Sequence, residues 1–436
     1  MSITHSLQPL VVLDGVRTPF IKAFTQFNSI QADELGIVAL KGAFKQAGVS
    51  ADAIDEVVFG NVSTPIHAAN IARVIAMGSG VDQSKPAHTV SRNCASGMES
   101  IISAWHAIHE GRAEVIAAGG VESMSNIPFL YSRDFQNWML EWNKQKGIGQ
   151  LTHLAKFRPS MLKPVIALQV GLTDPTCGLN MGDTAEILAE EFNVSREEQD
   201  RFALESHHRA AAAWERCFLG GETVEFKQHG IDVSRDNGVR PKQTMEALAK
   251  LKPAFKKDGT VTAGNSSQLT DGGSALIVAA PEAAARLGVS PLGMINAYAV
   301  AGLDPARMGL GPVYAIHRLL EQTGMTLNDY DLFEINEAFA AQVLACLKAM
   351  ESPEFCRDKL NRREALGSIP RDRLNVNGGA IALGHPLGAS GNRLVLTLLR
   401  ALKERGLKRG LAAMCIGGGQ GMAISVEMDP TSGRSI

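Results

Sequence analysis

Cys94-Ala-Ser-Gly-Met-Glu-Ser100 and Gly384-His-Pro-Leu-Gly-Ala-Ser-Gly391 decide the fold. Each carries Ala-Ser-Gly near the opening of a helix-like run, Ser96–His109 in the first case and Ser390–Arg405 in the second. Each run then leads into a small strand that ends in glycines, Ala117-Ala-Gly-Gly120 and Cys415-Ile-Gly-Gly418. A third echo lies upstream, where Gly48-Val-Ser-Ala-Asp-Ala-Ile-Asp-Glu-Val-Val-Phe59 parallels Gly324-Met-Thr-Leu-Asn-Asp-Tyr-Asp-Leu-Phe-Glu-Ile335. Three echoes in one order predict two related α/β halves. They place Cys94 and the His385 turn at equivalent helix N-termini.

Working outward, short apolar runs alternate with amphipathic ones, the pattern of an α/β chain. Strands are expected at 10–13, 57–60, 115–118, 275–279, 332–335, 411–415 and 423–426. Helices are expected at 32–47, 96–109, 195–216, 312–322, 338–350 and 390–405. Ser96-x-x-Glu99 and Ser195-x-x-Glu198 read as capping boxes at two helix starts. Between the halves lies a less regular stretch, about 125–260. Its first part, 131–179, combines Trp138, Trp142, Leu151 and Phe157 with Lys144, Lys146, Lys156, Arg158 and Lys163. It reads either as an inserted lid packing on its own domain or as a basic amphipathic surface for a membrane or partner subunit.

Bulk properties set bounds. A chain of 436 residues exceeds one ordinary core, so roughly two or three domains are expected. It is 45% hydrophobic and 20% charged with a formal net charge of −2, which gives no basic face for nucleic acid. Its six cysteines include no Cys-x-x-Cys pair and read as thiols in a reducing compartment. The N-terminal sequence shows no secretory or mitochondrial leader pattern, and no apolar run approaches the ~20 residues that span a bilayer. The expectation is a soluble cytoplasmic protein.

The chemistry-bearing residues sit at turns. A thiol attacks as thiolate, and a helix N-terminus favours negative charge through its free N–H groups; Cys94 meets that condition if a helix begins near Ser96. The alternative is a buried, inert cysteine. His385 lies in Gly378-Gly-Ala-Ile-Ala-Leu-Gly-His-Pro-Leu-Gly-Ala-Ser-Gly391, where glycines admit tight turns and Pro386 stiffens the exit. Cys415 closes an apolar strand before a glycine run, where it can pass protons while glycine N–H groups cradle an oxyanion; a buried strand cysteine is the alternative. Asn336 joins a strand to a helix and either orients a water or caps the helix. Cys177, Cys217, Cys346 and Cys356 have no such setting and read as inert. No His, Cys, Asp or Glu cluster has metal-ligand spacing, so no metal is expected.

At these residues the chain resembles a thiolase almost end to end. Gly15-Val-Arg-Thr-Pro-Phe20, Asn93-Cys-Ala-Ser-Gly97 and Gly119-Gly-Val-Glu-Ser-Met124 are similar to the family's N-terminal motifs. Met181-Gly-Asp-Thr-Ala-Glu186 and Gly259-Thr-Val-Thr-Ala-Gly-Asn-Ser-Ser267 are similar to its middle. Asn336-Glu-Ala-Phe339, Gly384-His-Pro386 and Cys415-Ile-Gly417 are similar to its catalytic C-terminal half. The resemblance implies an α/β thiolase fold of two duplicated αβαβα-type halves, 1–123 plus 262–290 and 291–436, with an inserted loop domain at 124–261. It implies Cys94 as the acylated nucleophile, His385 as its base and Cys415 as the acid/base at the α-carbon of acetyl-CoA. Asn336 would hold a water that binds the enolate with His385, and the N–H groups of Cys94 and Gly417 would form the oxyanion hole. Met181, Arg240, Phe255, Ala263, Ser267, Ala338 and Phe339 would contact coenzyme A, with Arg240 at its phosphates.

Coenzyme A enters as a substrate, so no cofactor is implied. The resemblance also implies a homodimer or homotetramer. Asn180 stands where small biosynthetic thiolases carry histidine, and the insert is longer and more basic than theirs. Both features resemble the β-subunit of the fatty-acid oxidation trifunctional complex, whose partner is a hydratase/dehydrogenase; Asn336 departs from that subgroup, which commonly has histidine there. A degradative 3-ketoacyl-CoA thiolase is expected, ahead of an acetoacetyl-CoA thiolase and of an inactive lipid-carrier or scaffold on the same fold. Decarboxylating ketoacyl synthases share the fold, but their two histidines do not fit the Cys415 motif.

Overall fold

The computed structural model describes residues 8–428. Its main sheet has ten strands: β1 (Leu10–Arg17), β2 (Ile21–Lys22), β3 (Glu56–Gly60), β4 (Ala87–Val90), β5 (Val115–Ser123), β6 (Thr270–Ala279), β7 (Gly293–Gly302), β8 (Leu332–Ile335), β9 (Arg409–Ile416) and β10 (Gln420–Glu427). The order is β8-β9-β10-β7-β1-β6-β5-β3-β4, with β2 beside β6. The duplication is visible in the pairing. β1, β6, β5, β3 and β4 join antiparallel, antiparallel, parallel, parallel. β7, β10, β9 and β8 repeat antiparallel, antiparallel, parallel, and a parallel bridge from Phe333 to Leu374 takes the fifth place. The two sets meet only where Leu10–Val12 pairs with Gly293–Ile295.

The central strands are covered on both faces. β5 and β6 are buried at every position, and such strands read as unbroken apolar or small-residue runs rather than alternating ones. Helices Ala32–Ala47 and Gly311–Thr323 occupy matching places, and each ends on a left-handed glycine, Gly48 or Gly324, that opens its repeated motif. Helices Ser96–His109 and Leu387–Arg405 cross between the halves. A Cβ on Gly97 would stand 2.7 Å from Asn392 N and Gly388 O, and one on Gly391 would stand 2.6 Å from Met98 N. Backbone touches backbone here, so both copies of the motif need glycine.

Every strand and helix expected from the sequence is present, mostly with longer bounds. One cap is corrected. The capping box expected at Ser96 does not form: the N-cap is Ala95, the Ser96 hydroxyl donates to Asn93 O at 2.7 Å, and Glu99 pairs with Arg92 instead. The box at Ser195 forms as expected.

Between β5 and β6 the chain leaves the sheet. Residues 129–171 form a two-stranded ribbon, Phe129–Leu130 with Val165–Ile166, and small helices. Trp138 is stacked there against Phe135, Trp142 and His153, with Phe157 edge-on. None of helix Arg133–Lys144 is buried. Helices Met181–Glu191 and Arg196–Glu215 follow and pack back on the C-terminal half. Among the described residues no helix is long and apolar enough to cross a membrane.

Candidate active site

Cys94 stands in the turn between β4 and helix Ser96–His109, and several bonds lock that turn. Asn93 takes a left-handed φ of 44°, and its Nδ2 donates to Gly417 O at 2.7 Å. The Arg92 N–H donates to Ser96 Oγ at 2.9 Å, and the Arg92 guanidinium holds Glu99. Cys94 is therefore fixed to the glycine turn that links β9 and β10. The backbone N–H groups of Gly417 and of Cys94 itself point at its sulfur. They pull its pKa down, but burial outweighs them and the Glu122 carboxylate adds to the rise, so the thiol rests protonated.

His385 follows Gly384, whose φ of 106° brings its Cα so close to Thr270 that any Cβ would overlap that side chain. The His385 N–H donates to Thr270 Oγ1 at 3.2 Å. Its Nδ1 lies 2.6 Å from Ser390 Oγ, and that hydroxyl donates to Pro386 O at 3.0 Å. With its hydrogen on Pro386 O, Ser390 accepts from Nδ1–H, and this tautomer leaves Nε2 unprotonated, its lone pair facing the Asn336 amide. Asn336 Nδ2 lies 3.3 Å from Nε2. Burial, helped by the Arg393 charge, drives the His385 pKa down to about 3. The imidazole is neutral at physiological pH, the form a base requires.

Asn336 follows β8 directly and is wholly buried; its N–H donates to Ala413 O at 3.0 Å. Its Oδ1 has no protein partner. The next residue, Glu337, accepts from Ser206 Oγ, Asn375 Nδ2 and Ile381 N, which pins the strand end. Cys415 is the penultimate residue of β9 and 1% exposed. Burial first, and the neighbouring Cys94 second, hold its pKa well above the usual thiol value. Two protonated thiols and a neutral imidazole thus share one site.

One cavity of about 660 Å³ unites these groups. It is lined by Cys94, His385, Cys415 and Gly417 together with all seven residues expected at coenzyme A: Met181, Arg240, Phe255, Ala263, Ser267, Ala338 and Phe339. Asn336 lies behind His385 rather than on the wall. Arg240 is exposed, and Phe255 meets Phe339 edge-on with ring centroids 6.0 Å apart. Ser267 N–H to Ala338 O and Ala340 N–H to Asn265 O, both 2.9 Å, zip the segment before β6 to the C-terminal half. Asn180 caps helix Met181–Glu191 and lines the same cavity.

Sequence reasoning missed Ser390, Asn93, Arg393 and Glu122. Ser390 lies inside a motif read only as a helix opener; its spacing of five from His385 was the available signal. Glu122 is buried, accepts from Val62 N, Ser63 N and Gly388 N, and burial lifts its pKa to about 7. Among the cysteines read as inert, Cys346 and Cys356 are buried, Cys177 is partly buried and Cys217 is exposed. Among the described residues no cluster of metal-ligating side chains is present.

Two family models match the chain, the thiolase N-terminal domain over residues 10–282 and the thiolase C-terminal domain over residues 289–428. The bovine (Bos taurus) mitochondrial trifunctional enzyme subunit beta is 41% identical over 429 residues, covering 98% of this chain and 89% of that protein. A 3-ketoacyl-CoA thiolase of Yersinia enterocolitica is 37% identical over 431 residues, covering 98% of each. The crystal structure of human mitochondrial 3-ketoacyl-CoA thiolase in complex with CoA superposes with a TM-score of 0.84 at 36% identity, covering 97% of this chain and 98% of that one. These matches correct one expectation. The cytoplasmic placement is overturned by the mitochondrial proteins among them. It rested on the lack of a leader pattern in the first residues, of which 1–7 lie outside the described residues, together with the lack of a long apolar run and of paired cysteines.

Proposed function

The chain belongs to the thiolase family, and on that premise we propose how its residues carry the thiolytic cleavage of 3-ketoacyl-CoA by coenzyme A that it performs in β-oxidation. Cys94 Sγ attacks the 3-keto carbon while its proton passes to His385 Nε2. The N–H groups of Cys94 and Gly417 receive the oxyanion. The C2–C3 bond breaks, its electron pair leaves on an acetyl-CoA enolate, and Cys415 protonates the enolate carbon. A water held by Asn336, whose Oδ1 is unpartnered, binds the enolate oxygen together with the Nε2–H of His385. In the second half, the coenzyme A thiol gives its proton to the Cys415 thiolate and attacks the acyl-Cys94 carbonyl. Cys94 leaves and recovers its proton from His385, which closes the proton balance. Two acyl transfers replace one difficult exchange.

One observation carries this assignment of roles: two thiols, one neutral imidazole with an unprotonated Nε2, and an N–H aimed at the nucleophile share one cavity. Met181, Phe255, Ala263, Ser267, Ala338 and Phe339 would line the pantetheine path, with Arg240 at the phosphates. The test is coenzyme-A-dependent cleavage of substrates from acetoacetyl-CoA to 3-ketohexadecanoyl-CoA, with Cys94→Ala as control. Cleavage of long substrates, abolished in the variant, is expected. Activity confined to acetoacetyl-CoA would replace this reading with the short-chain one, and inactivity at every length would sink it.

The chain binds coenzyme A and acyl-CoA and works as an oligomer. The finer assembly is a proposal: a homodimer or homotetramer with a hydratase/dehydrogenase partner, and residues 124–261 as the loop domain of the first half. Membrane contact through 131–179 belongs with it. Supporting it, Tyr131, Leu140, Ile148, Leu151 and Leu154 are exposed in the same stretch as exposed Lys144, Lys146 and Lys156. Co-sedimentation with anionic but not neutral vesicles is the check.

A further inference from the structure

Phe24 plays no part in the reaction above, yet three of its properties are unusual together. Its φ is 63°, in the left-handed region that a side chain with a Cβ rarely enters. The residue is 59% exposed, high for a large apolar one. It also lines the cavity that holds Cys94, His385 and Cys415.

The surroundings over-determine this conformation. The Phe24 N–H donates to Ser125 Oγ at 2.7 Å. Ser125 in turn donates from its hydroxyl at 2.5 Å and from its N–H at 2.9 Å to the buried Asp271 carboxylate on β6. On the other side of the turn, the Ala23 N–H donates to Leu269 O at 2.8 Å. A rare backbone conformation persists where its neighbours enforce it, and such positions cluster at ligand clamps.

The same bonds place Phe24 relative to the reacting atoms. Met124 precedes Ser125, and Leu269 is bonded to Ala23; both line the cavity. Met124 Sδ accepts the N–H of Thr270, whose hydroxyl holds the backbone of His385. Phe24, Met124 and Leu269 thus give the cavity apolar lining, tied to the His385 backbone through Met124 and Thr270 and open to solvent at Phe24. Of the residues proposed for coenzyme A, Ala263 and Ser267 precede Leu269 on the segment before β6, and none shares an element with Phe24 or Met124. A 3-ketoacyl-CoA has two arms at its reacting carbon, and the second is a hydrocarbon tail.

We propose that Phe24 is the outer face of the acyl-tail subsite and, with Met124 and Leu269, sets the enzyme's selectivity for long-chain over short-chain substrates. This rests on the thiolase reading of the same cavity. A tail longer than acetoacetyl reaches the ring and loses water against it; acetoacetyl-CoA ends before it. The contact is worth a factor on the order of ten once one or two methylenes are covered.

The experiment compares wild type, Phe24→Gly and Phe24→Leu in kcat/KM for acetoacetyl-CoA and 3-ketohexadecanoyl-CoA, with the KM for coenzyme A and the melting temperature as companion readouts. Phe24→Gly is expected to lower kcat/KM for the long substrate about tenfold and leave acetoacetyl-CoA and coenzyme A within about twofold. Phe24→Leu is expected in between. Glycine relieves the backbone, so the melting temperature holds or rises. An equal loss on both substrates, a raised KM for coenzyme A, or an unchanged chain-length profile would each overturn the proposal. Wild-type inactivity on every ketoacyl-CoA would instead overturn the thiolase reading beneath it, so the two failures are told apart.

Discussion

Replacing Ser390 with alanine tests whether the His385 tautomer is held by a single contact. Ser390 Oγ is the partner of Nδ1 at 2.6 Å, and its own hydrogen goes to Pro386 O. Without it, a buried Nδ1–H is left unpartnered, which costs about 1–3 kcal/mol. The ring can escape by moving the hydrogen to Nε2, but Asn336 Nδ2 then faces another N–H across 3.3 Å, and the lone pair that should take the Cys94 proton is gone. Neither tautomer is both satisfied and basic. We expect the reactive form to lose about 1–2 kcal/mol, and Cys94 acylation to slow by roughly 5–30-fold at 1.36 kcal/mol per decade. Single-turnover mixing with acetoacetyl-CoA, following the acyl-enzyme by mass, reads that step directly. The KM for coenzyme A should stay near wild type because Ser390 does not reach the cavity wall. An acylation rate within twofold of wild type would refute the tautomer argument.

Three further outcomes follow from other contacts. Arg393 is wholly buried, bonds Glu334 at 3.2 Å, and its charge helps push the His385 pKa down. Arg393→Met removes a cation that opposes imidazolium, so the acid limb of the kcat/KM–pH profile should move to higher pH, whereas Glu334→Gln keeps the cation and should leave the limb in place. Gly97→Ala drives a Cβ to 2.7 Å from two backbone atoms of the facing helix, and urea unfolding should show a loss of about 3 kcal/mol. Burial raises the Glu122 pKa from the usual carboxylate value to about 7. The folded protein therefore binds this proton more tightly than the unfolded chain, so the stabilisation is full below the ordinary value and is lost as pH rises through about 7. Glu122→Gln should flatten the stability–pH curve in that window and shift alkylation of Cys94 to lower pH, since the carboxylate opposes its thiolate.

Much of this was legible in the sequence, and the exceptions have physical causes. β7 went unread because Gly-Met-Ile-Asn-Ala-Tyr-Ala-Val-Ala-Gly mixes small and polar residues and is only half-buried at alternate places. β4 went unread because all four positions are partly exposed and carry no alternation. The Ser96 box misled because two preceding residues, Arg92 and Asn93, compete for the same capping groups. Cys94 and Cys415 stood out by their turns at a helix start and a strand end, but a buried, inert cysteine fits the same local pattern, and the ordered set of motifs decided between the two. Arg393 and Phe24 act through partners set by folding, 59 and 101 residues away, and local pattern holds no trace of such pairs.

Duplication explains why there is one site and not two. By the register of the Ala-Ser-Gly motifs, Cys94 corresponds to Gly388 and Cys415 to Val121, so the glycine-ended strand echo that set Cys415 against Ala117 is out of structural register; by the Gly48 and Gly324 motifs, Asn336 corresponds to Gly60. Strand pairing agrees, since Phe59 faces Gly119 as Ile335 faces Ala413. In the structure the three counterparts press together. A Cβ on Gly388 would fall 2.3 Å from Val121 O and 2.9 Å from Gly60 O, and one on Gly60 would fall 2.3 Å from Ser96 O. The second copy of the site is therefore filled by backbone, sealed where the first opens as a cavity. Its one ionisable group, Glu122, ties the Gly388 N–H to the loop after β3. The fold supplies two equivalent helix N-termini, and side-chain volume decides which faces a substrate. His385, whose counterpart by the same register is Ser91, sits on the open side because the sealed half holds its helix in place.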